Sequence, residues 1–118
     1  MDSILIVDDS SSMRNMIDFT LCENGFDCIK AENGKLGCDL LGNKFKLIIT
    51  DLYMPEMNGI EFIKNIRSTG SNKYTPIIML TTESEENKKN EGISAGASAW
   101  LIKPFTQEKL IETVKKLI

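Results

Sequence analysis

The sequence predicts an α/β fold, with five parallel strands in one doubly wound sheet and five helices around it. Short apolar runs alternate with stretches of helical periodicity, five times along 118 residues, as in chains built from successive βαβ units. The third and fourth runs, Leu47 to Asp51 and Ile77 to Leu80, are almost continuously apolar, which a parallel sheet covered on both faces requires. Because crossovers are right-handed, the helices cover both faces of a single domain over residues 1–118.

The first half of the chain contains two further strands and two helices. Ser3 to Val7 is predicted as the first strand. A serine at position 10, 11 or 12 caps the helix that follows, and Gly25 has the place of a C-terminal cap. Phe26 to Ala31 is predicted as the second strand, and Asn33 can cap a short helix that ends near Gly42.

The second half continues the alternation after a loop marked by a proline and an Asn-Gly pair. Isoleucines at helical spacing predict a third helix, and Ser84-Glu85-Glu86 predicts the start of a fourth, since acidic residues favour a helix N-terminus. The fourth helix offers little apolar surface and contains Gly92, so we expect it to be the least anchored. Ala99 to Ile102 is predicted as the fifth strand, and Thr106 caps a final helix.

Composition excludes several classes of function. The net charge is −3 and no basic run is present, which argues against nucleic acids and anionic membranes as partners. The apolar runs are too short for a membrane span or the core of a signal peptide, so we expect a cytoplasmic protein. Three cysteines without C-x-x-C spacing predict reduced thiols.

The absence of histidine from the sequence narrows the chemistry further. It excludes Ser-His-Asp and Cys-His catalysis and the usual zinc sites that contain histidine. A metal ion bound by this chain is therefore expected to be one that prefers oxygen ligands.

Reactive side chains follow four of the predicted strands. They are Asp8 with Asp9, then Asp51, Thr81 and Lys103. Because ligands of open parallel sheets bind outside the carboxyl ends of the strands, we expect three carboxylates, a hydroxyl and an ammonium group at one edge.

That set of groups suits a divalent cation beside a phosphoryl group. Adjacent carboxylates raise one another's pKa unless a cation neutralises them, and Mg²⁺ or Mn²⁺ prefers such oxygen ligands. Asp51 is a candidate nucleophile, since aspartyl phosphates are known covalent intermediates. Lys103 supplies a positive charge for phosphate oxygens and Thr81 a hydroxyl donor, as phosphoryl transfer requires.

Four segments resemble the signature of a known family. They are Ile6–Ser10, Asp51–Gly59, Thr81–Glu83 and Lys103–Phe105. Together they resemble the receiver domain of two-component response regulators, most of all the stand-alone form used in chemotaxis, and the similarity extends over residues 3–118. The resemblance implies a flavodoxin-like sheet with strand order 2-1-3-4-5.

The resemblance also implies roles for the acidic residues. Asp51 would accept a phosphoryl group from a histidine kinase. Asp9, Asp51 and the backbone carbonyl of Tyr53 would bind Mg²⁺, with Mn²⁺ as a substitute, and Asp8 would act close by or through water.

Other residues would respond to the phosphoryl group. Thr81 and Lys103 would hold it, Trp100 would be the aromatic switch near the signalling face, and the Lys103-Pro104 bond would be cis. Tyr53 and Glu83 are expected to tune the rate of dephosphorylation.

The expected partners follow from the same resemblance. They are a histidine kinase, a phosphatase and an output protein such as the flagellar motor switch, bound by a monomer through the face of the fourth helix, fifth strand and fifth helix. That face would include Lys109 and Lys115 or Lys116. The chain would then catalyse only its own phosphorylation and dephosphorylation.

Three other interpretations remain open. A phosphatase with an aspartate nucleophile usually carries a second aspartate two residues on, where this chain has Tyr53. A flavodoxin-like FMN binder would need a phosphate loop without acids, which Asp8 and Asp9 oppose. A phosphorelay intermediate, or a receiver domain cut from a longer regulator, fits the same motifs.

Overall fold

The computed structural model describes residues 3–68, 70–82 and 86–118. The strands are β1 (Ser3–Val7), β2 (Cys28–Ala31), β3 (Phe45–Asp51), β4 (Ile77–Thr82) and β5 (Ala99–Lys103). The helices are α1 (Ser11–Glu23), α2 (Gly34–Asp39), α3 (Gly59–Ser68), α4 (Glu86–Ala95) and α5 (Gln107–Leu117). Within the described ranges, none of the helices is long and apolar enough to cross a membrane.

All five strands form one parallel sheet in the order β2-β1-β3-β4-β5. This confirms both the predicted fold class and the strand order that the family resemblance implies. The chain adds β2 on one side of β1 and adds β3, β4 and β5 on the other side, so the order of strands reverses between β1 and β3. Because β1 and β3 are parallel neighbours, their carboxyl ends lie side by side at this point. In such sheets that position is where ligands bind.

Alternate residues of the strands fill two separate cores. Ile4 and Ile6 face one core, under α1 and α5, whereas Leu5 and Val7 face the other, under α2, α3 and α4. Since every one of these side chains is almost completely buried, the sheet is covered on both faces, as the continuous apolar runs predict.

The helix ends have the capping residues that the sequence predicts. The side chains of Ser10, Asn33 and Thr106 accept hydrogen bonds from the backbone N–H groups of Met13, Leu36 and Lys109, which are otherwise unpaired. Gly25 has a φ of +87° just after α1, a conformation that glycine adopts without steric cost.

Several boundaries differ from the predicted ones, and β4 and β5 extend beyond their predicted ends to Thr82 and Lys103. β2 begins at Cys28 and α2 ends at Asp39, both shorter than predicted, whereas β3 begins two residues earlier than predicted, at Phe45. The buried Asn72 side chain accepts a hydrogen bond from the Phe45 N–H group at 2.8 Å. That contact joins residues 27 positions apart, so local pattern could not reveal it.

Helix α4 is held differently from the other helices. Its predicted start at Ser84 and Glu85 lies outside the described residues, and the described helix begins at Glu86. Gly92 is buried, and a Cβ there would overlap the end of the Met79 side chain. Gly92 therefore lowers helix propensity, as predicted, and also lets α4 approach β4 closely.

The three cysteines are free thiols. Cys22 is exposed, and Cys28 and Cys38 are partly buried, which agrees with the reduced state predicted from the sequence.

Candidate functional site

Three carboxylates meet where β1 and β3 end. Asp8 and Asp9 follow β1, Asp51 is the last residue of β3, and one oxygen of each lies within 4.8 Å of the others. Asp8 is completely buried and Asp51 is 8% exposed, whereas Asp9 is exposed. We call these three residues, together with Lys103, the carboxylate edge.

Asp8 is held in place by its neighbours on the way into α1. The Ser10 N–H group donates to Asp8 Oδ1 at 2.9 Å, and Arg14 Nη1 donates to the Asp8 backbone carbonyl at 2.6 Å. Because Ser10 is also the N-cap of α1, the start of the helix fixes the direction of the carboxylate. Buried charges need such partners to remain charged.

Asp51 is held by the backbone that follows it. The Leu52 N–H group donates to Asp51 Oδ1 at 2.9 Å, and the Gly59 N–H group donates to the Leu52 carbonyl at 2.7 Å. A Cβ at Gly59 would overlap the Asp51 carbonyl oxygen. Only glycine therefore allows α3 to begin this close to the end of β3.

Lys103 joins the two buried carboxylates from the far edge of the sheet. Its Nζ atom lies 3.1 Å from Asp8 Oδ2 and 3.1 Å from Asp51 Oδ1. Burial works against the ammonium charge, but the charges of Asp51 and Asp8 prevail and raise the pKa of Lys103. The ammonium group thus stays charged at neutral pH.

One ammonium group does not balance three carboxylates. Burial, followed by the negative charge of Asp8, raises the pKa of Asp51 to about 6, although Lys103 and the Leu52 N–H group oppose the shift. The site therefore retains an excess of negative charge, which an added cation would neutralise.

The donor set fits a hard divalent cation. All three carboxylates supply oxygen ligands, and the chain contains no histidine. Mg²⁺ prefers oxygen ligands and usually keeps several waters. Asp9 is the exposed member of the three, so the cluster reaches the surface where such waters are available.

Thr81 and Trp100 lie on the neighbouring strands. Thr81 is 3% exposed and its backbone is paired with Ile102, next to Lys103. Trp100 pairs with Met79, about 10 Å along the strand from Lys103, and packs against the core under α3 and α4. Thr81 is therefore close to the carboxylate edge, whereas Trp100 belongs to the face beside α4.

The remaining predicted residues have mixed outcomes. The Tyr53 side chain is 54% exposed. Binding of a metal ion by the Tyr53 backbone carbonyl stays a prediction. Glu83 lies outside the described residues. The Lys103-Pro104 peptide bond is cis, as the resemblance implies.

Sequence reasoning missed the residues that position the site. The sequence marks Ser10 as a possible helix cap and Gly59 as part of a turn, and both lie in the segments that resemble the family, but it gives neither residue a role in holding a carboxylate and does not single out Arg14. Their sequence signals are weak because Ser10 acts through its backbone N–H group, Gly59 through the absence of a side chain, and Arg14 through a bond to a backbone carbonyl. The Asn-Gly pair was visible, but its close approach to Asp51 depends on the packing of α3.

Comparisons with known proteins agree on one family. Residues 4–115 match the response regulator receiver domain. A chemotaxis protein CheY homolog from Campylobacter jejuni is 40% identical over 98% of this chain and 91% of its own length. The solved structure of chemotaxis response regulator CheY4 from Vibrio cholerae is 41% identical, covers 100% of this chain and 99% of that one, and has a TM-score of 0.92.

One more distant structure shares the fold. The receiver domain of the sensor histidine kinase PA1611 from Pseudomonas aeruginosa, solved with a magnesium ion coordinated in its active site cleft, is 22% identical with a TM-score of 0.90. The match covers 98% of this chain and 96% of that one.

Proposed function

The chain belongs to the response regulator receiver domain family, and from this premise we propose that it is a signalling switch activated by phosphorylation of Asp51. The observation that carries this proposal is the position of Asp51. Its carboxylate is nearly buried, lies 3.1 Å from the Lys103 ammonium group and belongs to a cluster of three carboxylates. Such a site provides a nucleophile, a positive charge for phosphate oxygens and a place for a cation.

The cation would be Mg²⁺, with Mn²⁺ as a substitute, held by Asp8, Asp9, Asp51 and the Tyr53 backbone carbonyl. When bound, it would neutralise charge on the phosphoryl oxygens and on the carboxylates. The three carboxylates support this assignment because their oxygens lie within 4.8 Å of one another.

The chain's own residues then have separate parts in phosphoryl transfer. Oδ1 of Asp51 is engaged by Lys103 and by the Leu52 N–H group, so Oδ2 is the better candidate to attack phosphorus. The bond from phosphorus to its donor, a phosphohistidine of a histidine kinase or a small acyl phosphate, breaks as the bond to Oδ2 forms. Lys103 would then move its charge from the free carboxylate towards the phosphoryl oxygens, and the Thr81 hydroxyl would donate to one of them.

The signal would leave through α4, β5 and α5. Drawing Thr81 towards the phosphoryl group would displace the end of β4, and α4 offers little apolar surface to hold it against a change in its neighbour. The surface around Trp100 also carries Lys109 and Lys116, which suits an acidic partner. We propose a histidine kinase and a phosphatase as partners, and a flagellar motor switch protein as the output partner, with a downstream phosphotransfer protein as second choice.

The setting of this activity is also a proposal. A monomer acting in the cytoplasm fits the small acidic domain and its similarity to chemotaxis regulators. We propose that it catalyses only its own phosphorylation and dephosphorylation, because the end of β3 lacks the second aspartate that a phosphatase of this kind would use.

Labelling with a small phosphodonor tests the proposal. Incubation with acetyl phosphate and Mg²⁺ should add one phosphoryl group, detected by intact-protein mass spectrometry. Asp51→Asn should abolish the added mass, and Asp39→Asn, which changes an exposed aspartate on α2, should leave it unchanged. Undiminished labelling of the Asp51→Asn protein would show that Asp51 is not the acceptor.

A further inference from the structure

The Lys89 side chain lies over the ring of Trp100. Its Nζ atom is 3.6 Å from the ring centroid, and both side chains are partly buried. Two other lysines stand over aromatic rings among the described residues, at 5.9 Å and 5.7 Å. Tryptophan attracts cations more strongly than other aromatic rings, so the Lys89 contact is the strongest of these three.

This contact connects α4 directly to β5. Lys89 is in the N-terminal half of α4, and Trp100 is in β5, which is hydrogen-bonded to β4. It connects a helix with little apolar surface to a strand that the sheet holds in place.

The C-terminal end of α4 is fixed by other contacts. Arg67 Nε and Nη2 donate to the Gly96 carbonyl at 3.1 Å and 2.8 Å, and the buried Gly92 packs on Met79. A displacement of the N-terminal half of α4 would therefore pivot about an end that stays in place. Any such shift changes the distance between Lys89 and the Trp100 ring.

We propose that Lys89 is a positioning residue that locks Trp100 and α4 in the arrangement seen here and opposes the rearrangement caused by phosphorylation. This rests on the proposed function. The ammonium group is already at about the best distance for close contact, so displacement of either partner weakens the attraction. A contact present in only one of two arrangements favours that arrangement, and its removal should enrich the other roughly 2- to 30-fold.

The test uses beryllofluoride with Mg²⁺ as a mimic of the bound phosphoryl group. Its affinity for the full chain would be measured by ¹⁹F NMR titration for the wild type and for Lys89→Met, Lys89→Arg and Lys88→Met. Arginine keeps a cation over the ring. Lys88 is a matched control, since it pairs with Glu91 within the same helix at 3.5 Å.

The lock predicts that Lys89→Met binds beryllofluoride about 2- to 30-fold more tightly than the wild type. Lys89→Arg and Lys88→Met should stay close to the wild type. Without any ligand, acrylamide should quench Trp100 fluorescence more strongly in Lys89→Met than in the wild type, Lys89→Arg or Lys88→Met. A general loss of helix stability would instead increase quenching in both Lys89→Met and Lys88→Met.

Equal affinities for the wild type and Lys89→Met would overturn the lock, as would a Lys89→Arg protein that behaves like Lys89→Met. A wild-type protein that does not bind beryllofluoride at all would contradict the proposed function itself, and the lock with it. The two failures are therefore distinguishable.

Discussion

The carboxylate edge and α4 are held by different kinds of contact. At the edge, buried charges are paired with Lys103 and with backbone N–H groups at distances of 2.9–3.1 Å. Helix α4 has instead one buried glycine, an arginine contact at its C-terminal end and the Lys89 contact to Trp100.

Helix α5 contrasts with α4 in the apolar surface that it buries. Helix α5 lies against the opposite face of the sheet, begins with the Thr106 cap and buries Leu110, Thr113 and Val114. In the proposed switch, α4 would be the more easily displaced of these two helices, with the Lys89 contact opposing its displacement. Low local stability is what a switching element requires.

The largest expected effect is at Lys103. Lys103→Met should lower the free energy of unfolding at pH 7 by about 3–5 kcal/mol, because it leaves Asp8 and Asp51 buried without their cation. Urea unfolding without divalent ions measures this. Lys115→Met, a change on the exposed side of α5, should cost under about 0.5 kcal/mol, and a similar loss in both variants would contradict the fixed-charge view of the edge.

The next effect concerns the charge of Asp51 and depends on pH. Its pKa is about 6 in the folded protein against 3.8 as the ordinary value, so the folded state binds the proton more tightly. The resulting stabilisation is complete below pH 3.8 and is lost as the pH rises through 6. At neutral pH the charged carboxylate therefore destabilises the metal-free fold, by about 3 kcal/mol at one pKa unit per 1.36 kcal/mol.

Asp51→Asn removes this charge. The free energy of unfolding of Asp51→Asn, measured in urea, should exceed that of the wild type only slightly at pH 4 and by about 3 kcal/mol at pH 7. Added Mg²⁺ should narrow the gap, since the ion stabilises only the wild-type site. A gap that does not change between pH 4 and pH 7 would show that Asp51 titrates normally in the fold.

The smallest effect compares two glycines directly. Gly59→Ala should destabilise the protein by about 1–3 kcal/mol, because the added Cβ meets the Asp51 backbone. Gly92→Ala should cost under about 1 kcal/mol, since the flexible end of Met79 can move and alanine favours the helix.

Gly42→Ala is the control for both, because a Cβ at Gly42 meets no atom within 4 Å. Thermal unfolding of the three variants provides the comparison. If Gly92→Ala destabilises the protein more than Gly59→Ala, then α4 is packed more rigidly than the carboxylate edge, which would contradict the contrast between these two regions.

Much of the fold could be predicted because its signals are local. The continuous apolar runs predicted the strands, Asn33 and Thr106 marked the residue before a helix start, and the serines at 10–12 marked the start of α1 without deciding which of them is the cap. The placement of acids, a threonine and a lysine directly after strands predicted that they would meet at one edge, since all parallel strands end on the same side.

Only the tertiary structure decided how those groups interact. The pairing of Lys103 with Asp8 joins residues 95 positions apart, and the raised pKa of Asp51 results from burial that the whole sheet produces. The roles of Gly59 and Gly92 and the contact of Lys89 with Trp100 depend on how helices approach strands. Sequence periodicity determines which face of an element is buried, but distances between elements follow from packing, and the charges and close contacts of this site depend on those distances.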